Sequence, residues 1–372
     1  MTRRRTVVRR APGKLFVVGE YAVIEPGHPA ILVAVDRHVT VTVTGTAGTD
    51  VEITSDLAPH GARLRRRHGR LVPYGEDGAG DVRTGLAHVL SAIETVAGLM
   101  AERGSPVPGL SLTVESGLHD NGVKYGLGSS GAVTVATVSA VAAFCGLALR
   151  DEERFRLALL ASAEIDPKGS GGDLAAATWG GWLAYRAPDR TAVRDLARDR
   201  GAEKALRAPW PGFGVRRLPP PEGLSLQVGW TGEPASTTAL VAGLHRRPWR
   251  GTAAHHRFVR TTTDCVRTAA AALERRDGPA LLDQIRRARR ELLRLDDEAA
   301  LGVFTPRLTA LCDIAESVGG AAKPSGAGGG DCGIALLDAE VPRDIARLRE
   351  RWAAAGVVPL PVRPTAAEGN EE

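Results

Sequence analysis

The sequence predicts a two-domain α+β protein, and three observations carry that prediction. Its 372 residues can fill more than one hydrophobic core, with 43% hydrophobic and 24% charged residues, an ordinary globular balance. The second half runs in the order strand, helices, strand, helix, strand, which suits a sandwich with one helical face. Residues 187–223 are rich in Pro and Arg and weakly periodic, so a boundary is placed near 222. The predicted domains are 1–222 and 223–363. The small, polar, acidic residues 364–372 are predicted to form a disordered tail.

In chain order, Ala11-Pro12-Gly13-Lys14-Leu15-Phe16-Val17-Val18 reads as a Pro-Gly turn delivering a lysine to the head of a short apolar strand. Ile31 to Val35 and the alternating His38 to Thr44 read as paired strands. Residues 45–80 read as an irregular excursion with Arg65-Arg66-Arg67 in a loop, Asp81 to Met100 as an amphipathic helix, and Gly109 to Ser116 as a strand. Val133 to Phe144 is apolar on every side, which predicts a buried helix, and Asp151 to Glu164 predicts another. Beyond the boundary, Leu224 to Trp230 reads as a strand, followed by helices at 252–276, 279–298 and 304–318. Gly333 to Leu337, a helix at 342–355 and Gly356 to Val362 complete the second domain.

Composition excludes several classes. No apolar run approaches the roughly 20 residues that span a bilayer, so no membrane partner is expected. The basic N-terminus (Arg3, Arg4, Arg5, Arg9, Arg10) lacks the apolar segment of a signal peptide. The four cysteines show no C-x-x-C pair or metal spacing, which favours a reducing cytoplasm. Net charge is +5, but the arginines alternate with acids along predicted helices and aromatics are scarce. That pattern suits anionic small molecules rather than nucleic acid.

The densest signal is Lys124-Tyr125-Gly126-Leu127-Gly128-Ser129-Ser130-Gly131-Ala132, directly before the buried helix. A glycine-rich loop opening a helix leaves backbone N–H groups unpaired at the positive end of the helix dipole, which suits phosphate. Read alone, it is a phosphate site or an ordinary tight turn. A dinucleotide fingerprint would need a hydrophobic strand immediately before it, and residues 116–122 read as a polar loop. Protein-kinase signatures and the P-loop motif are absent. A second glycine-rich turn, Gly169-Ser170-Gly171-Gly172-Asp173, places an acid at the opening of a small-residue helix, where it could simply be an N-cap. A third is Lys323-Pro324-Ser325-Gly326-Ala327-Gly328-Gly329-Gly330-Asp331-Cys332.

The ordered set P-G-K, G-L-G-S-S-G-A and K-P-S-G-A-G-G-G-D-C resembles the three motifs of the galactokinase, homoserine kinase, mevalonate kinase and phosphomevalonate kinase (GHMP) superfamily, over residues 7–362. K-Y-G-L-G-S-S-G-A and G-S-G-G-D-L-A-A-A-T-W-G-G look most like its phosphomevalonate kinase branch. The resemblance implies an N-terminal domain like ribosomal protein S5 domain 2 and a ferredoxin-like C-terminal domain, with ATP between them. It implies that Gly126, Leu127, Gly128, Ser129, Ser130, Gly131 and Ala132 hold the ATP phosphates. It implies Mg²⁺ at Ser130, more loosely at Glu164, and catalytic roles for Lys14, Lys124 and Asp173. The acceptor, phosphomevalonate, would meet Lys14, Ser170, Gly171, Gly172, Asp173, Ser325, Gly326, Ala327 and Gly328. His28, Asp36 and Arg37 are weaker candidates. The expected enzyme is a monomer or homodimer. The alternatives are mevalonate kinase or another small-molecule kinase of the superfamily, and a non-catalytic metabolite sensor on the same fold.

Overall fold

The computed structural model describes residues 5–56, 61–74, 84–120 and 122–366. The chain opens with β1 (Thr6–Val18) and β2 (Pro29–Thr46), paired antiparallel along most of their lengths. The two expected strands at 31–35 and 38–44 are therefore one 18-residue strand. Nothing turns the chain between them: the register against β1 shifts between Pro12 and Gly13, and Asp36 and Arg37 are the extra residues. Pro12-Gly13 thus runs within β1 opposite a bulge in β2 rather than forming a turn, and Lys14 lies mid-strand.

Residues 45–80 supply a second correction. β3 (Val51–Ser55), β4 (Ala62–Arg67) and β5 (Arg70–Pro73) extend the sheet. Their buried residues Val51, Ile53, Ala62, Leu64 and Leu71 follow period two, masked in the sequence by the arginines of the other face. His68 and Gly69 both have positive φ, 48° and 77°, which closes a two-residue hairpin in the register Arg67↔Arg70.

β6 (Gly109–Ser116), the small hairpin β7 (His119–Asp120) and β8 (Val123–Lys124), β9 (Trp182–Arg186) and β10 (Gly214–Leu218) complete this half. The large sheet runs β10-β9-β2-β6-β3-β4-β5, with β1 on β2. β2 is its spine: Pro29 to Val33 pairs with β9, and Val39 to Thr46 with β6.

Against the sheet pack α1 (Ala87–Glu102), α2 (Ser129–Phe144), α3 (Asp151–Ala163) and α4 (Gly172–Trp179). Residues 81–83 of the predicted first helix lie outside the described residues. α2 is buried without a break from Gly131 to Ala142, because β1, β2 and the other three helices surround it. Such packing offsets the low helix propensity of its valines and threonines. The stretch 187–223 also folds, as α5 (Arg190–Arg200), α6 (Ala202–Arg207) and β10. Asp189 caps α5 by accepting from the Ala192 N–H, and Val193, Ala205, Leu206 and Trp210 anchor the segment.

A second sheet, β12-β13-β11-β14, is built from β11 (Leu224–Trp230), β12 (Ala321–Pro324), β13 (Cys332–Asp338) and β14 (Val358–Leu360). With it go α7 (Thr237–Arg246), α8 (Ala253–Glu274), α9 (Gly278–Ala299), α10 (Pro306–Ser317) and α11 (Pro342–Ala354). α8 packs on α9 and reaches β1 and β2, so one apolar core runs from Leu15 through Cys265 and Ile285 to Ile334. Trp352, fully buried, donates its indole N–H to the Leu311 carbonyl at 3.0 Å. The tail expected to be disordered begins ordered: Pro364 bridges to Val35, and the Thr365 N–H donates to the Ala34 carbonyl at 2.9 Å. Residues 367–372 lie outside the described residues.

Three links tie β1 and the turn after it to the third glycine-rich loop. Lys323 Nζ pairs with Glu20 and donates to the Pro324 carbonyl at 2.7 Å. Ser325 Oγ accepts from the Phe16 N–H at 2.8 Å and donates to the Phe16 carbonyl at 3.1 Å. The Tyr21 hydroxyl donates to the Ala327 carbonyl at 2.5 Å. Lys323 is wholly buried, so truncating its partner strands an ammonium in a dry interior. Glu20→Ala is expected to cost about 3–5 kcal/mol in urea unfolding, and replacing both partners with apolar residues to recover much of it. A loss below about 1 kcal/mol would show that the pair contributes little.

Candidate active site

The three glycine-rich stretches converge on one cleft of about 480 Å³. Its walls include Lys14 and Phe16 from β1, Lys124 from β8, Gly126, Gly128, Ser129 and Ser130 from the loop into α2, and Asp173 from α4. Gly326, Ala327 and Asp331 close it from the second sheet.

The loop into α2 is shaped by two left-handed glycines, Gly126 (φ 79°) and Gly128 (φ 77°), the latter being the helix N-cap. The first intrahelical bond is Ala132 N–H to Gly128 carbonyl, which leaves the N–H groups of Ser129, Ser130 and Gly131 without helical acceptors. Leu127 is buried, and its carbonyl takes the Lys14 N–H at 2.8 Å, fixing the loop to β1. The Lys14 stem crosses Gly128, where an added Cβ would sit 2.9 Å from Lys14 Cγ and 3.3 Å from Asp173 Cβ. Glycine there lets the lysine and the aspartate meet over the loop. Nζ of Lys14 lies 5.2 Å from the Phe16 ring centroid and beside Gly326.

Asp173 is not the N-cap of α4. Gly171, with φ 74°, holds that position, and the helix has no side-chain cap. The Asp173 carboxylate instead faces Gly131, where a Cβ would approach Oδ2 to 2.5 Å. Ser170 braces this turn by accepting from the Gly172 N–H at 3.2 Å and, through its carbonyl, from the Tyr185 hydroxyl at 2.7 Å. Ser170 and Gly171 line the cleft, whereas Gly172 is buried against Leu32 and Phe16.

Several expected site residues lie elsewhere. Glu164, expected at Mg²⁺, caps the end of α3 beside the cleft residues Ser162, Ile165 and Asp166, but is itself outside the cleft lining, facing Arg70 and Arg198 at 3.8 Å each. The Ser325 hydroxyl is taken up by the Phe16 backbone and lies outside the cleft lining, behind the wall. Gly328 packs on Val303. His28 bonds Thr263, Asp36 accepts from the Arg363 N–H, and Arg37 stacks on Tyr125 at 4.8 Å; none lines the cleft.

Sequence reading missed His88 and Asp331. His88 stands at the start of α1, and burial lowers its pKa, with Lys124 acting the same way and Asp173 and Asp166 opposing. Its Nδ1 lies 3.3 Å from Thr134 Oγ1, whose single proton goes to the Ser130 carbonyl at 2.7 Å, so Nδ1 carries the hydrogen. A lone histidine among helix formers gives no sequence signal. Asp331 was visible only as the end of the third motif.

Residues 88–181 match the GHMP kinases N terminal domain, and residues 269–354 match GHMP kinases C terminal. The chain is 67% identical over 372 residues to the phosphomevalonate kinase of Streptomyces sp. (strain CL190), covering 99% of each. The chain belongs to the phosphomevalonate kinases, within the GHMP superfamily. Phosphomevalonate kinase of Streptococcus pneumoniae, solved in complex with phosphomevalonate and AMPPNP, superposes with a TM-score of 0.84 at 25% identity, over 96% of this chain and 100% of that one. The mevalonate kinase of Pyrococcus abyssi is more distant, 28% identical over 338 residues and 89% of each chain. The two-domain fold expected from the motifs is thus the phosphomevalonate kinase fold.

Crowding over the loop generates a direct test. Gly131→Ala would push the Asp173 carboxylate aside, and small misplacements in such sites cost about 100-fold. Turnover should fall by at least about 10-fold with the melting temperature nearly unchanged. Full activity in the alanine variant would mean that Asp173 need not sit there.

Proposed function

We propose that this enzyme transfers the γ-phosphoryl group of ATP to (R)-5-phosphomevalonate, giving ADP and 5-diphosphomevalonate for isoprenoid precursor synthesis. The observation that carries this reading is that Lys14 and Lys124 line one cleft with the glycine loop, in a chain so similar to a phosphomevalonate kinase. An acceptor phosphate with a second pKa near 6 is largely dianionic at neutral pH. It needs no proton removed. One of its oxygens forms the new bond to the γ-phosphorus as the bridging bond to the β-phosphate breaks, and that electron pair leaves on ADP. The obstacle is repulsion between two anions, which the lysines relieve while the N–H groups of Ser129, Ser130 and Gly131 cradle the ATP phosphates.

Asp173 is the positioning partner of Lys14 across Gly128, with no ion pair within 4 Å between them in the described structure. Ser170, Gly171, Gly326 and Ala327 shape the acceptor wall. Magnesium keeps several waters and uses few protein ligands, so the sparse donor set suits it: Ser130 and Asp173 would hold it with the substrate phosphates. The ion would neutralise charge on the phosphates when bound. Among the described residues no group of three or more His, Cys, Asp or Glu gathers as a metal cage. The free thiols of Cys145, Cys265, Cys312 and Cys332 support a cytoplasmic enzyme, and the reading covers a monomer or a homodimer. Among the described residues no helix is long and apolar enough to cross a membrane.

A coupled ADP-release assay with phosphomevalonate and mevalonate side by side tests the acceptor. Faster turnover of mevalonate would assign the chain to alcohol phosphorylation instead. Lys14→Met is expected to lower kcat at least about 100-fold while KM changes by less than about 3-fold. A change confined to KM would contradict the transition-state role. Chelation with EDTA should abolish turnover and excess Mg²⁺ restore it.

A further inference from the structure

Asp331 is a carboxylate of the cleft that the proposed chemistry does not use. Asp331 ends the third glycine-rich loop, and its φ of 54° lies in the left-handed region that glycine tolerates best. The preceding Gly326, Gly328, Gly329 and Gly330 occupy positive φ as well, so Asp331 is the side chain this run places where a fifth glycine would be easier. Its backbone is held from both sides: the N–H donates to the Glu233 carbonyl at 2.7 Å, and its carbonyl accepts from the Thr231 N–H at 2.9 Å and hydroxyl at 3.0 Å. Oδ1 accepts from the Ala235 N–H at 3.0 Å. The rest of the carboxylate presses on the ATP loop, where a Cβ on Gly126 would overlap Asp331 Cβ and Cγ and lie 2.7 Å from Oδ2.

Two costs therefore coincide. Burial pushes the Asp331 pKa up, against the Ala235 N–H and the charges of Lys14 and Lys124, which favour the anion. The left-handed backbone adds strain. An acid is also the wrong charge for a cleft that receives ATP and a second phosphate. A structural plug at this position would be served better by glycine or asparagine.

We infer that Asp331 is a positioning residue for phosphoryl transfer, its negative charge holding the Lys14 and Lys124 ammonium groups toward the gap between donor and acceptor phosphates. The inference rests on the proposed use of those lysines. From the end of the third loop, Asp331 crowds Gly126 of the ATP loop and lines the same cleft as Lys14 and Lys124, so it sets a negative charge from the second sheet opposite the two cations. Without it the lysines lose a fixed counter-charge and follow the phosphates into poorer geometry. Binding survives, because the attraction between lysine and phosphate remains, but alignment in the transition state suffers.

Two variants test this in the full-length enzyme. Asp331→Asn keeps the acceptor for Ala235 and removes the charge. Asp331→Gly relieves the left-handed backbone. Both should lower kcat by about 10-fold or more, with KM for ATP and acceptor within about 3-fold of wild type. The glycine variant should melt no lower than wild type. Unchanged kcat in Asp331→Asn overturns the inference. So does a rise in KM at constant kcat, or a kcat loss in Asp331→Gly alone accompanied by a fall in melting temperature. The variants are read on whichever acceptor the wild-type enzyme turns over, so failure of the phosphomevalonate reading leaves this test intact.

Discussion

The buried pair between Lys323 and Glu20 is the constraint on which the cleft depends. Both charges lie out of reach of water, one on β12 and one just after β1. An ion pair so placed is weak evidence of stability, since desolvation offsets most of the attraction. Its value is positional. Lys323 begins the third glycine-rich loop and Glu20 follows the strand of Lys14, so the pair, with the Ser325 and Tyr21 links, fixes one wall of the cleft against the other. An apolar contact could be as stable but would allow sliding, whereas charges and paired hydrogen bonds set a register.

That register matters because the chemistry is mostly placement. Phosphoryl transfer between anions asks the protein for cations and N–H groups held where charge develops. Glycines make the approach possible: Gly128 lets the Lys14 stem and Asp173 meet, Gly131 admits the Asp173 carboxylate, and Gly126 admits Asp331. Each missing side chain is filled by a functional group from another element. The loop is thus a crossing point for β1, α4 and the second sheet.

What the sequence made legible follows from range. α2 and the helices α8 to α11 were readable because burial and periodicity are local, and the three motifs because glycine clusters stand out; α7, between Thr237 and Arg246, was not foreseen. β4 and β5 were not, since arginines on one face hid the alternating Ala62, Leu64 and Leu71. The continuity of β2 depended on a bulge opposite Pro12-Gly13, a property of the pairing rather than of either strand. Ser325 looked like a substrate contact because its hydroxyl partner, Phe16, is 309 residues away. Glu164 sits at the end of α3 that meets the cleft, beside Ser162, Ile165 and Asp166, but its carboxylate faces Arg70 and Arg198 instead. Asp331 and His88 became visible only as members of an electrostatic group drawn from separate elements.

The central claim is that cations from two strands meet between donor and acceptor phosphates. It is tested most directly by the structure of the ternary complex with phosphomevalonate, a non-hydrolysable ATP analogue and Mg²⁺. The account predicts the γ-phosphate analogue over the N–H groups of Ser129, Ser130 and Gly131, with the Lys14 and Lys124 ammonium groups within hydrogen-bond reach of the acceptor and γ-phosphate oxygens. An acceptor phosphate bound away from both lysines, or a triphosphate lying outside the loop into α2, would contradict it.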